Sequence, residues 1–120
     1  MSRAWALIMP TFAEGGGSYP VLEAMQRGIP VVCSDIPPIR EQIARTGGEV
    51  LWFDPHDPAQ LAARLHELEL GYAQIKARAV EQAKHLRHRT WQDIAADYCR
   101  EFRTIAGADA WQSLPSIPAK

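Results

Sequence analysis

The fold is decided by the stretch Pro10-Thr-Phe-Ala-Glu-Gly-Gly-Gly-Ser-Tyr-Pro-Val-Leu-Glu-Ala-Met25. It follows a short apolar run, residues 6–9, and sets three glycines, Gly15 to Gly17, before a predicted helix from Tyr19 to Gln26. Ser18 is a residue type favoured at the N-cap, and proline is tolerated in the first helical turn. Glycine lets a ligand approach the backbone, and a helix N-terminus offers unpaired N–H groups with partial positive charge. The stretch therefore indicates either a phosphate or diphosphate site, or a plain tight turn that binds nothing.

Two carboxylates flank this glycine loop. Glu14 precedes it, and Glu23 lies within the following helix, between Leu22 and Ala24. A carboxylate accepts hydrogen bonds from hydroxyl groups, often two at once, so the pair suits sugar and ribose rings better than phosphate. The alternative interpretations are a solvated loop charge for Glu14 and an exposed helix position for Glu23.

Strands and helices alternate along the rest of the chain. Apolar runs at residues 6–9, 30–33 and 49–53 predict three strands, and the lack of polar alternation in the second predicts a sheet covered on both faces. Helices are predicted at 38–44, after the Asp57 cap, at 72–86 and from Thr90, where Asp93 completes a box-like cap. This order predicts an α/β fold with a Rossmann-like parallel sheet and flanking helices. The domain is predicted to cover residues 1–105, and residues 106–120 a flexible tail.

The composition agrees with one small globular domain, and the net charge argues against nucleic acid or an anionic membrane as the partner. The 120 residues are 47% apolar and 22% charged, and their net charge of −1 gives no global attraction to nucleic acid or anionic membrane. Cys33 and Cys99 are predicted to be small buried side chains in a reducing compartment, without a disulfide. No apolar stretch approaches the roughly 20 residues of a membrane span, and the N-terminus lacks a signal-peptide core. The expected location is cytoplasmic, and peripheral membrane contact is left open.

The glycine-loop stretch resembles the acidic motif of GT-B glycosyltransferases, most closely glycosyltransferase family 4. That pattern is roughly Pro-Ser-x-x-Glu-Gly-Phe-Gly-x-Pro-x-x-Glu-Ala. The likeness covers about residues 4 to 103, because further segments follow in the family's order: Gly28-Ile-Pro-Val-Val32, Ser34-Asp-Ile-Pro-Pro-Ile-Arg-Glu41, Phe53-Asp-Pro-His-Asp-Pro58, Leu61-Ala62 and Thr90-Trp91. Such collinearity is far more specific than a single glycine-rich loop.

The resemblance implies the second half of a GT-B C-terminal domain, which binds the sugar donor. It implies transfer from a nucleotide-diphosphate sugar with retention of configuration, without a metal or another cofactor. Carried over residue by residue, it assigns Glu14 to the donor sugar and Glu23 to the ribose. It assigns the diphosphate to the loop residues Gly15, Gly16, Gly17 and Ser18. It assigns no catalytic residue within this chain.

The chain departs from the family pattern in two respects. Eight residues separate Glu14 from Glu23 where the pattern has seven, so the loop carries one extra residue that shifts Glu14. The acceptor-binding N-terminal domain and the basic residues that meet the donor phosphates also have no counterpart. We therefore expect a fragment or split subunit that is inactive alone, and that associates with the missing domain or with a second copy of itself.

Two other functions remain open at this stage. One is a noncatalytic nucleotide-sugar binding module or truncated remnant, and the other is a nonhydrolysing sugar-nucleotide epimerase of similar architecture. His85 and His88 lack a third metal ligand nearby, and the basic residues from Lys76 to Arg89 are interpreted as a solvated helix face rather than a phospholipid site. The aromatic residues of the last helix are interpreted as core or interdomain packing rather than a sugar platform: Trp91, Tyr98 and Phe102.

Overall fold

The structure, a computed structural model, describes residues 4–87 and 90–106. The chain divides into two compact units, residues 1–87 and 88–120. The first unit contains seven described elements: β1 (Leu7–Met9), α1 (Tyr19–Gln26), β2 (Val31–Ser34), α2 (Pro37–Thr46), β3 (Leu51–Phe53), α3 (Pro58–Leu70) and α4 (Tyr72–Ala83). The second unit contributes α5 (Trp91–Ala106). The predicted tail at 106–120 lies, apart from Ala106, outside the described residues.

The three strands form one parallel sheet in the order β1-β2-β3. Leu7 of β1 pairs with Val31, and Val32 of β2 pairs with Leu51. All four residues of β2 are buried, whereas β1 and β3 at the two edges are only partly so. A non-alternating apolar strand fits this central position because both of its faces are covered. The predicted parallel α/β sheet is confirmed.

Helices cover both faces of this sheet. Successive side chains of a strand point to opposite faces, so Val31 and Cys33 enter one core while Val32 enters the other. The first core is completed mainly by α1 and α2, through Val21, Ala24, Met25, Ile39 and Ile43. The second contains Phe53 and Leu68, with Leu61, Leu65 and Ile75 packed against it. Each fully buried aliphatic side chain contributes roughly 1.5–3 kcal/mol, so these two layers fix the sheet and the loops at its carboxyl edge.

Element boundaries follow local signals, with differences where tertiary contacts intervene. Helix α1 has the predicted bounds, whereas β3 begins at Leu51 rather than residue 49. The Glu49 N–H donates instead to the side chain of Gln82, 3.2 Å away, which takes it out of the strand. Helix α4 ends at Ala83 rather than residue 86, and Leu86 folds back against the first core.

Helix α5 begins with the predicted reciprocal cap. The Asp93 carboxylate accepts from the Thr90 N–H at 2.7 Å, and the Thr90 hydroxyl accepts from the Asp93 N–H at 3.1 Å. Its aromatic side chains are exposed, at 77% for Trp91, 62% for Tyr98 and 53% for Phe102. They are therefore not core residues among the described residues, and the alternative of interdomain packing stays a prediction.

Candidate functional site

The glycine loop starts where β1 ends, at the carboxyl edge of the sheet. The Thr11 N–H donates to Ser34 Oγ at 2.9 Å, and the same hydroxyl donates to the Met9 carbonyl at 3.3 Å. Ser34 is fully buried at the end of β2, so its hydroxyl ties the exits of two neighbouring strands together. Ligands of open α/β sheets bind outside this edge, so the predicted loop lies in the expected position.

The two halves of the loop differ in accessibility. Gly15 and Gly16 are exposed, and a Cβ added to either would meet nothing within 4 Å. Gly17 has φ +99°, and a Cβ there would lie 2.7–2.9 Å from the side-chain amide of Gln42. A residue with a side chain would therefore be strained at Gly17 and would collide with its neighbour. The open part of the loop is Gly15–Gly16.

Ser18 occupies the predicted N-cap position of α1 but does not cap the helix with its hydroxyl. Its side-chain oxygen is buried and has no hydrogen-bond partner among the described residues. The Ser18 N–H instead donates to Gln42 Oε1, 2.8 Å away on α2. The expectation of a serine side-chain cap is therefore wrong, because the hydroxyl accepts from no N–H of the first turn of α1; Gln42 accepts from a different group, the N–H of Ser18 itself.

Sequence reasoning missed Gln42, although a signal was present. Ile39, Gln42, Ile43 and Thr46 recur at helical spacing, and three of the four are buried. A polar side chain within such a stripe needs a hydrogen-bond partner. The pattern could have indicated that Gln42 forms a hydrogen bond with another group of the protein, but not with which group.

The two glutamates occupy different environments. Glu14 is half-buried and, within the part of the chain that the structure describes, forms no hydrogen bond or ion pair. The Glu23 side chain is 47% exposed and pairs with Arg27 at 2.9 Å, one turn further along α1. Both carboxylates are thus open to a ligand, and Arg27 offsets the negative charge of Glu23 near an anion.

A second charged group lies at the ends of β2 and β3. The Arg40 guanidinium makes two hydrogen bonds to the Asp35 carboxylate and lies 5.2 Å from the centre of the Trp52 ring. The bond from Arg40 lowers the pKa of the Asp35 carboxyl, and the charge of Arg40 adds to this. The Asp35 N–H meanwhile donates to the Phe53 carbonyl at 2.8 Å. Arg40 is therefore engaged in fixing this edge of the sheet.

The two cysteines are free thiols. Cys33 is buried in β2, and its burial, followed by the charge of Asp35, raises its pKa to about 12. Cys99 is half-buried on α5. A thiol with such a raised pKa is a poor nucleophile, so Cys33 is a core residue as predicted.

His85 and the basic residues Lys76 and Lys84, in α4 or just after it, form local contacts. His85 lies 3.3 Å from Glu81, and Lys84 pairs with the same carboxylate at 2.6 Å and lowers its pKa. Lys76 donates to the Gly28 carbonyl at 2.7 Å and so joins α4 to the end of α1. His88, which was weighed with His85 as a metal pair and set aside, lies outside the described residues. Across residues 4–87 and 90–106, no group of three or more potential metal ligands is present, and every helix is too short or too polar to cross a bilayer.

The comparisons with known proteins agree with this arrangement. The chain is 30% identical over 107 residues to the O-antigen chain mannosyltransferase B of Escherichia coli, an alignment that covers 87% of this chain and 26% of that protein. The chain thus spans about a quarter of the length of this relative. No solved structure is significantly similar to this chain. The family model described as "Glycosyl transferases group 1" matches residues 1–86, which contain the whole sheet, the glycine loop and both glutamates. This chain therefore belongs to the glycosyl transferases group 1 family.

Proposed function

We propose that this chain is the donor-binding part of a retaining glycosyltransferase of family 4, which transfers a sugar from a nucleoside-diphosphate sugar. The observation that carries the proposal is the glycine loop at the carboxyl end of β1. Its exposed amides lead directly into the N-terminus of α1 and are flanked by two accessible glutamates. Backbone N–H groups at such a helix start favour a diphosphate.

Each part of the ligand would then meet a different group. Gly15 and Gly16 offer the diphosphate unhindered backbone N–H groups, with Gly17 shaping the turn behind them. Glu23 would accept hydrogen bonds from the ribose hydroxyls, with Arg27 holding its carboxylate in place. Glu14 would accept from the hydroxyls of the donor sugar, since its carboxylate has no internal partner among the described residues.

We expect no glycosyl transfer by this chain alone. Cleavage of the donor requires positioned groups that stabilise charge on the leaving diphosphate, and loop amides are only some of them. The match covers only 26% of the E. coli relative, which leaves room in that protein for an acceptor site and further donor contacts. Mannosyl donors are the first to test, because that relative is a mannosyltransferase. Turnover by the chain alone that Glu23→Ala abolishes would contradict this expectation.

Titration with uridine and guanosine diphosphates tests the donor site directly. Amide signals from Gly15 to Glu23 should shift in a saturable way, and Glu23→Ala should weaken the nucleotide diphosphate more than pyrophosphate, because only the nucleotide carries ribose hydroxyls. Glu67→Ala is a matched control, since Glu67 is 46% exposed and pairs with Arg64 on α3, away from the loop. Shifts confined to the residues around His85, just after α4, would place the binding site elsewhere and contradict the proposal.

An activity assay with an added acceptor domain, rather than the titration, separates the alternative of a noncatalytic binding module. Such a module would bind the nucleotide diphosphate equally well, and would remain inactive when supplied with an acceptor domain of the same family. Restoration of transfer by an added acceptor domain would favour the enzyme.

A further inference from the structure

We propose that Gln42 is a positioning residue of this anion site, which braces the Gly17–Ser18 peptide from behind. The inference rests on the proposed donor-binding function and narrows it. The brace leaves Gly15 and Gly16 as the part of the loop that faces the ligand.

The geometry of the brace is specific. Gln42 projects from α2, its Oε1 atom accepts from the Ser18 N–H at 2.8 Å, and its amide group lies against the Cα of Gly17. An N–H group can only donate, so the atom facing Ser18 must be the amide oxygen. The space that Gly17 leaves by lacking a Cβ is thus filled by protein rather than by ligand.

The burial of Ser18 shows whether Gln42 supports the loop or occupies the place of the ligand. Ser18 is 2% exposed, so a diphosphate in solution does not reach its N–H without opening the packing between α1 and α2. The Ser18 hydroxyl offers no alternative acceptor, because it belongs to the same residue as the N–H and forms no hydrogen bond among the described residues. The amide oxygen also brings partial negative charge to the N-terminus of α1, where the helix dipole favours it. Without Gln42 this helix start would lose its acceptor, and the loop would lose its fixed end.

Hydrogen exchange in the absence of ligand tests the brace itself. Gln42→Leu keeps the volume and removes the acceptor, whereas Gln42→Glu keeps an acceptor oxygen. We expect exchange of the Ser18 N–H to become roughly fivefold faster or more in Gln42→Leu, and to be restored by Gln42→Glu. Exchange of Ala24 in the middle of α1 reports global unfolding, so a local effect stands apart from a loss of the fold. Gln42→Ala is a second variant without the acceptor, should the leucine disturb packing.

Pyrophosphate binding tests the consequence for the ligand. We expect Gln42→Leu to bind inorganic pyrophosphate about fivefold more weakly than the unmodified chain, because Gly15 and Gly16 lose their fixed orientation. Gln74→Leu, an exposed glutamine on α4, is the control and should change neither readout.

Three outcomes would count against the reasoning in different ways. Unchanged exchange of Ser18 in both acceptor-free variants overturns the brace. Tighter pyrophosphate binding by Gln42→Leu also overturns it, because Gln42 would then occupy the place of the ligand. A lack of pyrophosphate response in the unmodified chain refutes the proposed donor site, while Ser18 exchange still decides whether Gln42 holds the loop.

Discussion

Two buried serines should respond in opposite ways to the same substitution. Ser34 and Ser18 are 0% and 2% exposed, and both lie where the glycine loop joins the sheet or a helix. The Ser34 hydroxyl accepts from the Thr11 N–H at 2.9 Å and donates to the Met9 carbonyl, whereas the Ser18 hydroxyl has no partner among the described residues. Truncation to alanine therefore removes nearly the same atoms but different interactions.

The size of each change in the free energy of unfolding depends on which hydrogen-bonding groups the substitution leaves unpaired. Ser34→Ala leaves the partly buried Thr11 N–H without an acceptor, so we expect a loss of about 1–3 kcal/mol in the free energy of unfolding. For a unit of this size the midpoint of thermal unfolding should fall by at least about 4 °C. Ser18→Ala removes a hydroxyl that is buried without compensation, so we expect a change within about 0.5 kcal/mol or a slight gain.

Urea unfolding followed by circular dichroism measures both values. The slope of free energy against urea should be unchanged, which shows that the two variants unfold the same surface. A loss of about 1 kcal/mol in Ser18→Ala would mean that its hydroxyl accepts from an N–H in the first turn of α1, and would contradict its lack of a hydrogen-bond partner among the described residues. A neutral Ser34→Ala would refute the link between the exits of β1 and β2.

Three further expectations concern charge, thiol reactivity and capping. Because Arg40 lowers the pKa of Asp35, their pairing stabilises the fold fully above the ordinary carboxyl pKa, and this contribution is lost as pH falls through the lowered value. In urea unfolding across a pH series, the free energy of unfolding of Asp35→Asn should therefore fall less on acidification than that of the unmodified chain. An equal fall in both proteins would contradict this role of the pair. A thiol reagent at pH 8 should label Cys99 first and Cys33 only on unfolding, because burial raises the pKa of Cys33 to about 12; equal rates would show that β2 opens readily. Asp57→Ala should cost about 1 kcal/mol in urea, because its carboxylate accepts from two N–H groups at the start of α3; no loss would mean that this cap does not form.

Local signals explain how much of the fold could be predicted from the sequence. The bounds of α1 are set by Pro20 at its start and Gly28 just after its end, both readable within one helical turn. The burial of β2 follows from its unbroken apolar run, and the α5 cap from the spacing of Thr90 and Asp93. Each of these depends only on residues that are neighbours in the chain, so no tertiary information was needed.

The parts that could not be predicted depend on packing between distant segments. Residue preference indicated a side-chain cap at Ser18, but its hydroxyl forms no cap bond, and the closeness of α2 gives the Ser18 N–H an acceptor on Gln42. For the same reason, core packing and interdomain packing of the α5 aromatics could not be told apart, since a helical stripe shows that a face is apolar and not what covers it. The Glu23–Arg27 pair, by contrast, was readable from its i,i+4 spacing.

The extra residue of the loop affects the two glutamates unequally. Thr11 is held by Ser34 at one end of the loop, and Ser18 is held by Gln42 at the other. Only the residues between these two fixed points can absorb an insertion, and Gly15 and Gly16 have open space in which to do so. Glu14 lies inside this interval, whereas Glu23 lies beyond it, on a helix that keeps its predicted bounds. We therefore expect the longer spacing to displace Glu14, the group proposed for the donor sugar, and to leave Glu23, the group proposed for the ribose, in place.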